Sequence, residues 1–292
     1  MALRNGDTPQ SPRKLGERRL LTAALSIAVG VGVFVLLVNF ALSTWLWVSP
    51  EKRGPWTWVM RVGIATGIQR HDSYWLLGEY YESRRLWPSA VALYRRATRA
   101  YARDGELRCS LVRSLFEAEG LSAAEAEAIE ASRTLADPLP LAELVLVCDL
   151  HGMKTESISV LEKMVELFPQ FPGPRKSLIG RYMRKGDTAA ARASLQGLLA
   201  ANPSECFVWM AAAEFHRELA EIEEAKAAYK KAIALDPAQG VILHDYLQFL
   251  LELGQEKEAA EFVRSLPPDP LNTDPLYRRL LRLAEEEKGE NP

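Results

Sequence analysis

Hydrophobic and polar positions divide this chain into two parts with different patterns. Residues 20–48 are almost entirely apolar, and no charged residue occurs between Leu20 and Pro50. After residue 70 the apolar residues occur instead in short stretches rich in alanine and leucine, which glycine and proline separate. Stretches of this kind predict amphipathic helices joined by turns. We therefore expect an all-α protein in which one apolar helix precedes a helical domain.

The apolar run at residues 20–48 is predicted to be a transmembrane helix. A bilayer core needs roughly 20 apolar residues, and Trp45 and Trp47 lie where an aromatic belt at the membrane surface is expected. A cleaved signal peptide is the alternative, because the residues at 41–43 resemble a cleavage site. The apolar region of a signal peptide usually spans only about 7–15 residues, so the length of this run favours an uncleaved anchor.

Charges on either side of the run predict its orientation. Residues 1–19 contain five basic and two acidic side chains, a net charge of +3, so the rest of the chain carries −5 of the total of −2. Basic flanks favour the cytoplasmic side, although Arg53 and Arg61 beyond the run weigh against this assignment. We expect a disordered cytoplasmic tail at 1–19, a connector helix at 49–70 and an extracytoplasmic C-terminal domain. In a bacterium this places the protein in the inner membrane, with its domain in the periplasm.

Prolines recur at a fixed interval in the second part of the chain. Pro169, Pro203 and Pro237 differ by 34 in sequence number, and each closes a stretch rich in alanine and leucine. We call this spacing the repeat interval. The residue before a proline avoids helical geometry, so these prolines mark helix ends. Extended in both directions, the repeat interval predicts six units, of which one is a single residue shorter than the others. The units are 71–104, 105–137, 138–171, 172–205, 206–239 and 240–273.

Small and large residues alternate within these units in a way that resembles the tetratricopeptide repeat, a family built from pairs of antiparallel helices. The first and fifth units match best. The residues that carry the match are Tyr74, Leu77, Gly78, Tyr81, Ala90, Tyr94 and Ala97 in the first unit, and Trp209, Ala225, Tyr229, Ala232 and Pro237 in the fifth. The resemblance implies an α–α superhelix, a solenoid of about six helix pairs at 71–273, with a capping helix and tail at 274–292.

The same resemblance implies that the first helix of each pair lines a concave groove where a partner binds. In the first three units the groove positions are mainly acidic, with three apolar side chains and a single cation. These candidate groove residues are Asp72, Trp75, Glu79, Glu82, Glu106, Arg113, Phe116, Glu117, Glu143, Leu146 and Asp149. They predict a basic or amphipathic peptide segment as partner, and ordinary solvated helix faces are the alternative. In the last three units the signs are mixed, and no preference is predicted.

No arrangement of residues in the sequence indicates catalysis, a cofactor or a metal. Three cysteines do not make a disulfide framework. Cys148 and His151 have a spacing that a metal or thiol site could use, but a structural zinc site needs four ligands. Cys148 is instead predicted to be a small buried residue of its helix. The net charge gives no reason to expect nucleic acid, and we expect neither a small-molecule substrate nor an enzyme.

Three functional hypotheses follow from these patterns. The first is a single-pass membrane protein whose extracytoplasmic repeats hold protein partners in an envelope complex, for example in assembly or secretion, as the resemblance implies. The second keeps the anchor but reverses the topology, which gives a cytoplasm-facing adaptor or an import receptor. The third is an enzyme built around Cys148 and His151.

Overall fold

In the residues that the structure describes, all regular secondary structure is helical. The computed structural model describes residues 32–33, 57–67, 70–237, 239–266 and 274–289. Fourteen helices lie in this described part. They are α1 Thr57–Thr66, α2 Arg70–Ser83, α3 Trp87–Ala100, α4 Gly105–Glu119, α5 Leu121–Leu135, α6 Leu139–Leu150, α7 Lys154–Leu167, α8 Pro172–Lys185, α9 Thr188–Ala201, α10 Cys206–Glu218, α11 Ile222–Leu235, α12 Gly240–Glu252, α13 Glu256–Ser265 and α14 Pro275–Gly289.

The predicted transmembrane segment at 20–48 lies outside the described residues, apart from Gly32 and Val33, and so does the predicted tail at 1–19. Among the residues that are described, no helix has both the length and the apolar character needed to cross a bilayer. The transmembrane helix therefore stays a prediction.

Six helix pairs follow α1 in the order that the repeat interval predicts. The first pair, α2 and α3, lies in the first predicted unit, and the sixth pair, α12 and α13, lies in the last. The all-α prediction is thereby confirmed. Helix α1 falls within the predicted connector, and α14 falls within the predicted C-terminal cap.

The chain divides into two compact units, one up to Val147 and the other from Cys148 onward. The boundary lies inside α6, at a point where the repeat interval gives no sign of a division. Within the first unit, α2 packs on α1 and α3, and α4 packs on α3 and α5. Within the second unit the closest pairs are α8 with α9 and α10 with α11.

The close approach of α2 and α3 determines the packing of the first helix pair. Gly78 of α2 lies directly against Tyr94 of α3, so that a Cβ atom added at Gly78 would lie 2.2 Å from Cζ and Oη of the tyrosine. The side chains of Ala90, Tyr94 and Ala97 are fully buried. Because protein interiors are packed as densely as organic crystals, the ring has no neighbouring space to move into. Gly78 is therefore required for steric reasons.

Aromatic rings connect successive helices in the core of the second unit. The ring centroids of Tyr229 in α11 and Tyr246 in α12 are 5.4 Å apart. Tyr246 also meets Phe262 of α13 edge to face, with 4.9 Å between the centroids. Such aromatic pairs contribute about 0.5–1.5 kcal/mol beyond the area that they bury. Ala225 and Ala232 are fully buried beside them and leave the space that the rings fill.

The turns between the two helices of four successive pairs share one backbone conformation. Gly152, Gly186, Ala220 and Gly254 follow one another at the repeat interval and have φ values of 71°, 79°, 56° and 71°. Glycine adopts a positive φ without a steric cost, which explains why the predicted turns at the three glycines occur. Ala220 adopts the same conformation, although a left-handed non-glycine residue costs about 1–2 kcal/mol. Helix packing therefore imposes the turn geometry even where the local sequence disfavours it.

We expect Gly78→Ala to lower the free energy of unfolding by about 1–3 kcal/mol, because the added methyl group overlaps the buried Tyr94 ring. Gly180→Ala is the matched control, since a Cβ atom at this position of α8 meets only the end of Arg184, at 3.5 Å. There the loss of backbone freedom in the unfolded chain should raise stability by about 0.5–1 kcal/mol. Thermal unfolding followed by circular dichroism measures both effects, and equal stability of the two variants would contradict the steric account.

Candidate functional site

Ten of the eleven candidate groove residues belong to the first compact unit. They lie on α2, α4 and α6, which are the first helices of three successive pairs. We call the surface formed by these ten residues the acidic face. Its members are Asp72, Trp75, Glu79, Glu82, Glu106, Arg113, Phe116, Glu117, Glu143 and Leu146. The eleventh residue, Asp149, belongs to the second unit.

The residues of the acidic face lie at the surface or are half-buried, and none of them belongs to the core. Asp72, Glu106 and Glu117 are exposed, and Leu146 exposes 53% of its surface although it is apolar. The aromatic residues Trp75 and Phe116 are half-buried. The members of the acidic face that are open to solvent are therefore Asp72, Glu106, Glu117 and Leu146.

Arg113 joins three consecutive first helices of the acidic face. Its Nη1 donates a hydrogen bond to Oε1 of Glu143 at 2.7 Å, and its Nη2 lies 3.4 Å from Oε2 of Glu82. Ser114 donates a further hydrogen bond, of 3.0 Å, to Oε1 of Glu82. The sequence pattern grouped these three charged residues, and the structure brings them into contact. The single cation of this face is thus engaged by two of its own carboxylates.

Burial makes this ion-pair network sensitive to the loss of its cation. The side chains of Glu82 and Glu143 expose only 14% and 16% of their surface, whereas that of Arg113 exposes 40%. Burial raises the pKa of Glu82, and the attraction of Arg113 and the hydrogen bond from Ser114 oppose this shift only in part. The ionised form of Glu82 is therefore tolerated because Arg113 lies beside it.

Cys148 and His151 differ in their exposure to solvent. Cys148 is fully buried, as its position in the repeat predicts, whereas His151 is exposed in the following turn. Burial raises the pKa of the Cys109 thiol to about 12, far from the range in which a thiolate forms. In the part of the chain that the structure describes, no group of three or more potential ligands could hold a metal ion.

Asp149 takes part in a different arrangement, within the second unit. Nη1 and Nη2 of Arg181 donate hydrogen bonds of 2.8 and 2.6 Å to its two carboxylate oxygens. Ser157 donates a third hydrogen bond, of 2.7 Å, to Oδ1. These hydrogen bonds from Arg181 and Ser157 lower the pKa of Asp149, although partial burial opposes them. Asp149 therefore stays ionised and is compensated by Arg181.

A cavity of about 490 Å³ opens beside this ion pair. Four cationic side chains line it, together with one carboxylate, one hydroxyl and one aliphatic side chain. The lining residues are Lys154, Arg181, Arg184 and Lys185, with Asp149, Thr155 and Ile158. We call this feature the basic cavity.

The sequence did not indicate the basic cavity, because its residues come from two successive predicted repeats within the second compact unit. Lys154 and Thr155 begin α7, whereas the three remaining cations lie near the end of α8. The only sequence signal is the cluster of Arg181, Arg184 and Lys185 in one helix. In the last three predicted repeats taken together, acidic residues at other positions balance this local excess of positive charge.

Comparison with known proteins identifies the repeats. Residues 217–284 match the family model of the tetratricopeptide repeat. This stretch contains α11, α12 and α13 and most of α14. Residues 217–284 of the chain therefore carry tetratricopeptide repeats. The match includes the whole second helix of the fifth predicted repeat, in which the sequence pattern is one of the two clearest.

Several solved structures are similar to part of this chain. A thermophilic tetratricopeptide-repeat protein from Thermus thermophilus is 21% identical over 62% of this chain and 99% of its own, with a TM-score of 0.39. MamA from Desulfovibrio magneticus is 16% identical over 64% and 97%, with a TM-score of 0.40. YrrB, described as having an unusual peptide-binding site, is 16% identical over 64% and 96%, with a TM-score of 0.38. Similarity of this extent carries no information about a partner. None of the curated proteins matches the chain in sequence.

We expect Arg113→Gln to lower the free energy of unfolding of the first compact unit by about 1–3 kcal/mol at neutral pH. The largely buried side chains of Glu82 and Glu143 then lack their cation. The loss should shrink as the pH falls from neutral. Burial raises the pKa of Glu82 in the folded state, so this carboxyl group takes up a proton at a higher pH than an ordinary glutamate, and a neutral carboxyl group no longer needs Arg113. Denaturant unfolding at several pH values measures this dependence.

Arg95→Gln is the control for this experiment. Arg95 pairs with Glu119 in the same unit, but the two side chains expose 50% and 43% of their surface. Exposed ion pairs contribute little, so the expected change is below about 0.5 kcal/mol at every pH. If both variants lost the same stability, or if the effect of Arg113→Gln did not depend on pH, the buried-network account would be wrong.

Proposed function

We propose that this protein is a membrane-anchored scaffold that binds a basic or amphipathic segment of another protein on the acidic face. Its tetratricopeptide repeats support a role in protein–protein interaction, since stacked helix pairs present extended surfaces to partners. The observation that carries the finer proposal is the composition of the acidic face. Six carboxylates, three large apolar side chains and one cation, Arg113, occupy the first helices of three successive pairs.

The contacts of Arg113 indicate which carboxylates a partner would use. Glu82 and Glu143 are compensated within the face, so their role is to fix the three helices relative to one another. The exposed carboxylates of Asp72, Glu106 and Glu117 lie where lysine or arginine side chains of a partner can reach them. Leu146 offers an apolar contact among them. A partner helix with basic residues on one side and apolar residues beside them matches this surface.

The anchor and the location of the domain form the second part of the proposal. The apolar run at 20–48 is long enough to span a bilayer, and the excess of basic residues lies before it. We therefore infer that the repeats face the extracytoplasmic side, which in a Gram-negative bacterium is the periplasm, and that they hold partners of an envelope complex. A cytoplasm-facing adaptor or import receptor with the same anchor is the alternative, and the topology experiment below distinguishes the two.

A synthetic amphipathic peptide of lysine and leucine should bind the full-length protein in neutral-lipid nanodiscs. We expect Glu106→Gln combined with Glu117→Gln to weaken this binding about three- to tenfold, because each exposed ion pair contributes about 0.2–1 kcal/mol. The effect should decrease as salt is added, since screening weakens exposed charge pairs. Fluorescence anisotropy of a labelled peptide measures the affinity.

The matched control combines Glu130→Gln with Glu166→Gln. Both residues are exposed carboxylates outside the acidic face, so this variant changes the net charge by the same amount. We expect its affinity for the peptide to stay within twofold of that of the unmodified protein. Equal weakening in the two double variants would show that only the overall charge matters, and the assignment to the acidic face would then fail.

Reporter fusions at the C-terminus test the orientation. Alkaline phosphatase, which becomes active only after export, should be active at this position, and green fluorescent protein exported in the unfolded state should remain dark. Removal of residues 20–48 should reverse both results, because the repeats then lack the segment proposed to direct them across the membrane. A fluorescent C-terminal fusion of the intact chain would support the cytoplasm-facing alternative instead.

A further inference from the structure

The charges around the basic cavity are predominantly positive. Four cationic side chains line it, and the one carboxylate among them, Asp149, is already engaged by Arg181. The lining therefore keeps a net charge of +3. Within the described part of the chain, neither Lys154 nor Lys185 forms an ion pair with a carboxylate. Lys154, Arg184 and Lys185 are exposed, so water screens their mutual repulsion and its cost to the fold is small. The local excess of positive charge nevertheless attracts an anion.

The ends of the helices explain only part of this cluster. Arg184 lies in the last turn of α8 and Lys185 is its final residue, where cations are stabilised by the partial negative charge of a helix C-terminus. Lys154 is the first residue of α7, where the same effect is unfavourable for a cation. The helix dipole thus accounts for two of the cations and makes the position of Lys154 less favourable. A bound anion would compensate all three together.

The size and the walls of the cavity limit what the anion can be. A volume of about 490 Å³ lies within the range of small-molecule sites, roughly 300–1,000 Å³, and exceeds what an inorganic anion needs. Ile158 provides an aliphatic wall, and Thr155 provides a hydroxyl group beside the cations. The ligand should therefore combine a strongly charged group with a small organic part.

We propose that the basic cavity binds a small phosphate monoester. Its phosphoryl oxygens pair with Lys154, Arg184 and Lys185, and its organic group lies against Ile158. Arg181 remains paired with Asp149 and connects α8 with the end of α6. The ligand is bound and not converted, so this site differs from the substrate site whose absence the sequence predicted. The inference concerns the second compact unit alone and does not depend on the acidic face or on the membrane anchor.

Charge matching favours a phosphate monoester over a carboxylate or a sulfate monoester. A phosphate monoester carries about −1.5 to −2 at neutral pH, with a second pKa of about 6, whereas the other two groups carry −1. A lining of +3 is compensated more completely by the dianion. Arginine and lysine are also the side chains that most often bind phosphoryl oxygens in proteins.

Phenyl phosphate and phenyl sulfate are suitable probes, because they share one shape and differ in charge. Isothermal titration calorimetry on the full-length protein in neutral-lipid nanodiscs should show at least tenfold tighter binding of phenyl phosphate at about pH 8, where it is a dianion. The preference should largely disappear at about pH 5, where both probes are monoanions. Phenyl sulfate keeps its charge throughout and thereby reports any change in the charge of the protein.

Two double variants locate the binding site. Arg184→Gln combined with Lys185→Gln should weaken the binding of phenyl phosphate at least tenfold. Lys176→Gln combined with Lys231→Gln removes two exposed cations of the same unit that do not line the cavity, and its affinity should stay within twofold. A third variant, Asp149→Asn, removes the carboxylate of the lining and releases Arg181, so binding should become severalfold tighter. Merely damaged folding would weaken it instead, and thermal unfolding of each variant records the folding state.

Three results would overturn the proposal. The first is equal affinity for phenyl phosphate and phenyl sulfate at about pH 8. The second is equal weakening of phenyl phosphate binding by the cavity double variant, at Arg184 and Lys185, and by the control double variant, at Lys176 and Lys231. The third involves a phosphoserine peptide as an additional probe. If this peptide bound more than tenfold tighter than phenyl phosphate, with the same dependence on Arg184 and Lys185, the cavity would be a phosphopeptide site and not a small-molecule site.

Discussion

The close approach of the two helices within each pair is the constraint on which the rest of this structure depends. Gly78 leaves no room for even a methyl group beside the ring of Tyr94, and the small residues Ala225 and Ala232 are fully buried in the second compact unit. A helix pair cannot bury its apolar surface alone, so each pair needs its neighbours. The buried side of every helix is thereby committed to packing, and only the remaining side is available for charges and partners.

Because one side of each helix is buried, the charged residues of the first compact unit lie on the other side, where ion pairs connect successive pairs of helices. The first helices α2, α4 and α6 present charged residues at equivalent positions, which brings Arg113 between Glu82 and Glu143. All three side chains can reach one another only if the helix pairs keep their spacing. The network therefore depends on the packing beneath it and, in turn, holds the acidic face in one arrangement. A partner would meet a preformed surface, which lowers the entropic cost of binding.

Sequence patterns predict the helices of this protein better than they predict its sites. The repeat interval and the glycines at 152, 186 and 254 were sufficient to predict the pairs and three of their turns, because small residues and φ > 0 are local requirements. The left-handed conformation of Ala220 was not predictable, since neighbouring helices impose it on a residue that does not prefer it. The acidic face was predictable as a set of positions on three helices. The double contact of Arg113 was not, because it depends on side-chain distances between units.

The basic cavity was not predictable from the sequence either, because its side chains come from two successive repeats. Its charges differ from those of the first compact unit in what surrounds them. Arg113 is a cation whose two neighbours are carboxylates, so folding alone accounts for its position. Lys154 is an exposed cation at a helix N-terminus in a cavity with three further cations, and folding alone gives no reason for its position. Residues of these two kinds look alike in the sequence, since each is a single basic residue in an amphipathic helix. Only the surroundings of the side chain separate a charge that stabilises the fold from a charge that the fold merely tolerates, and the second kind is where a ligand should be sought.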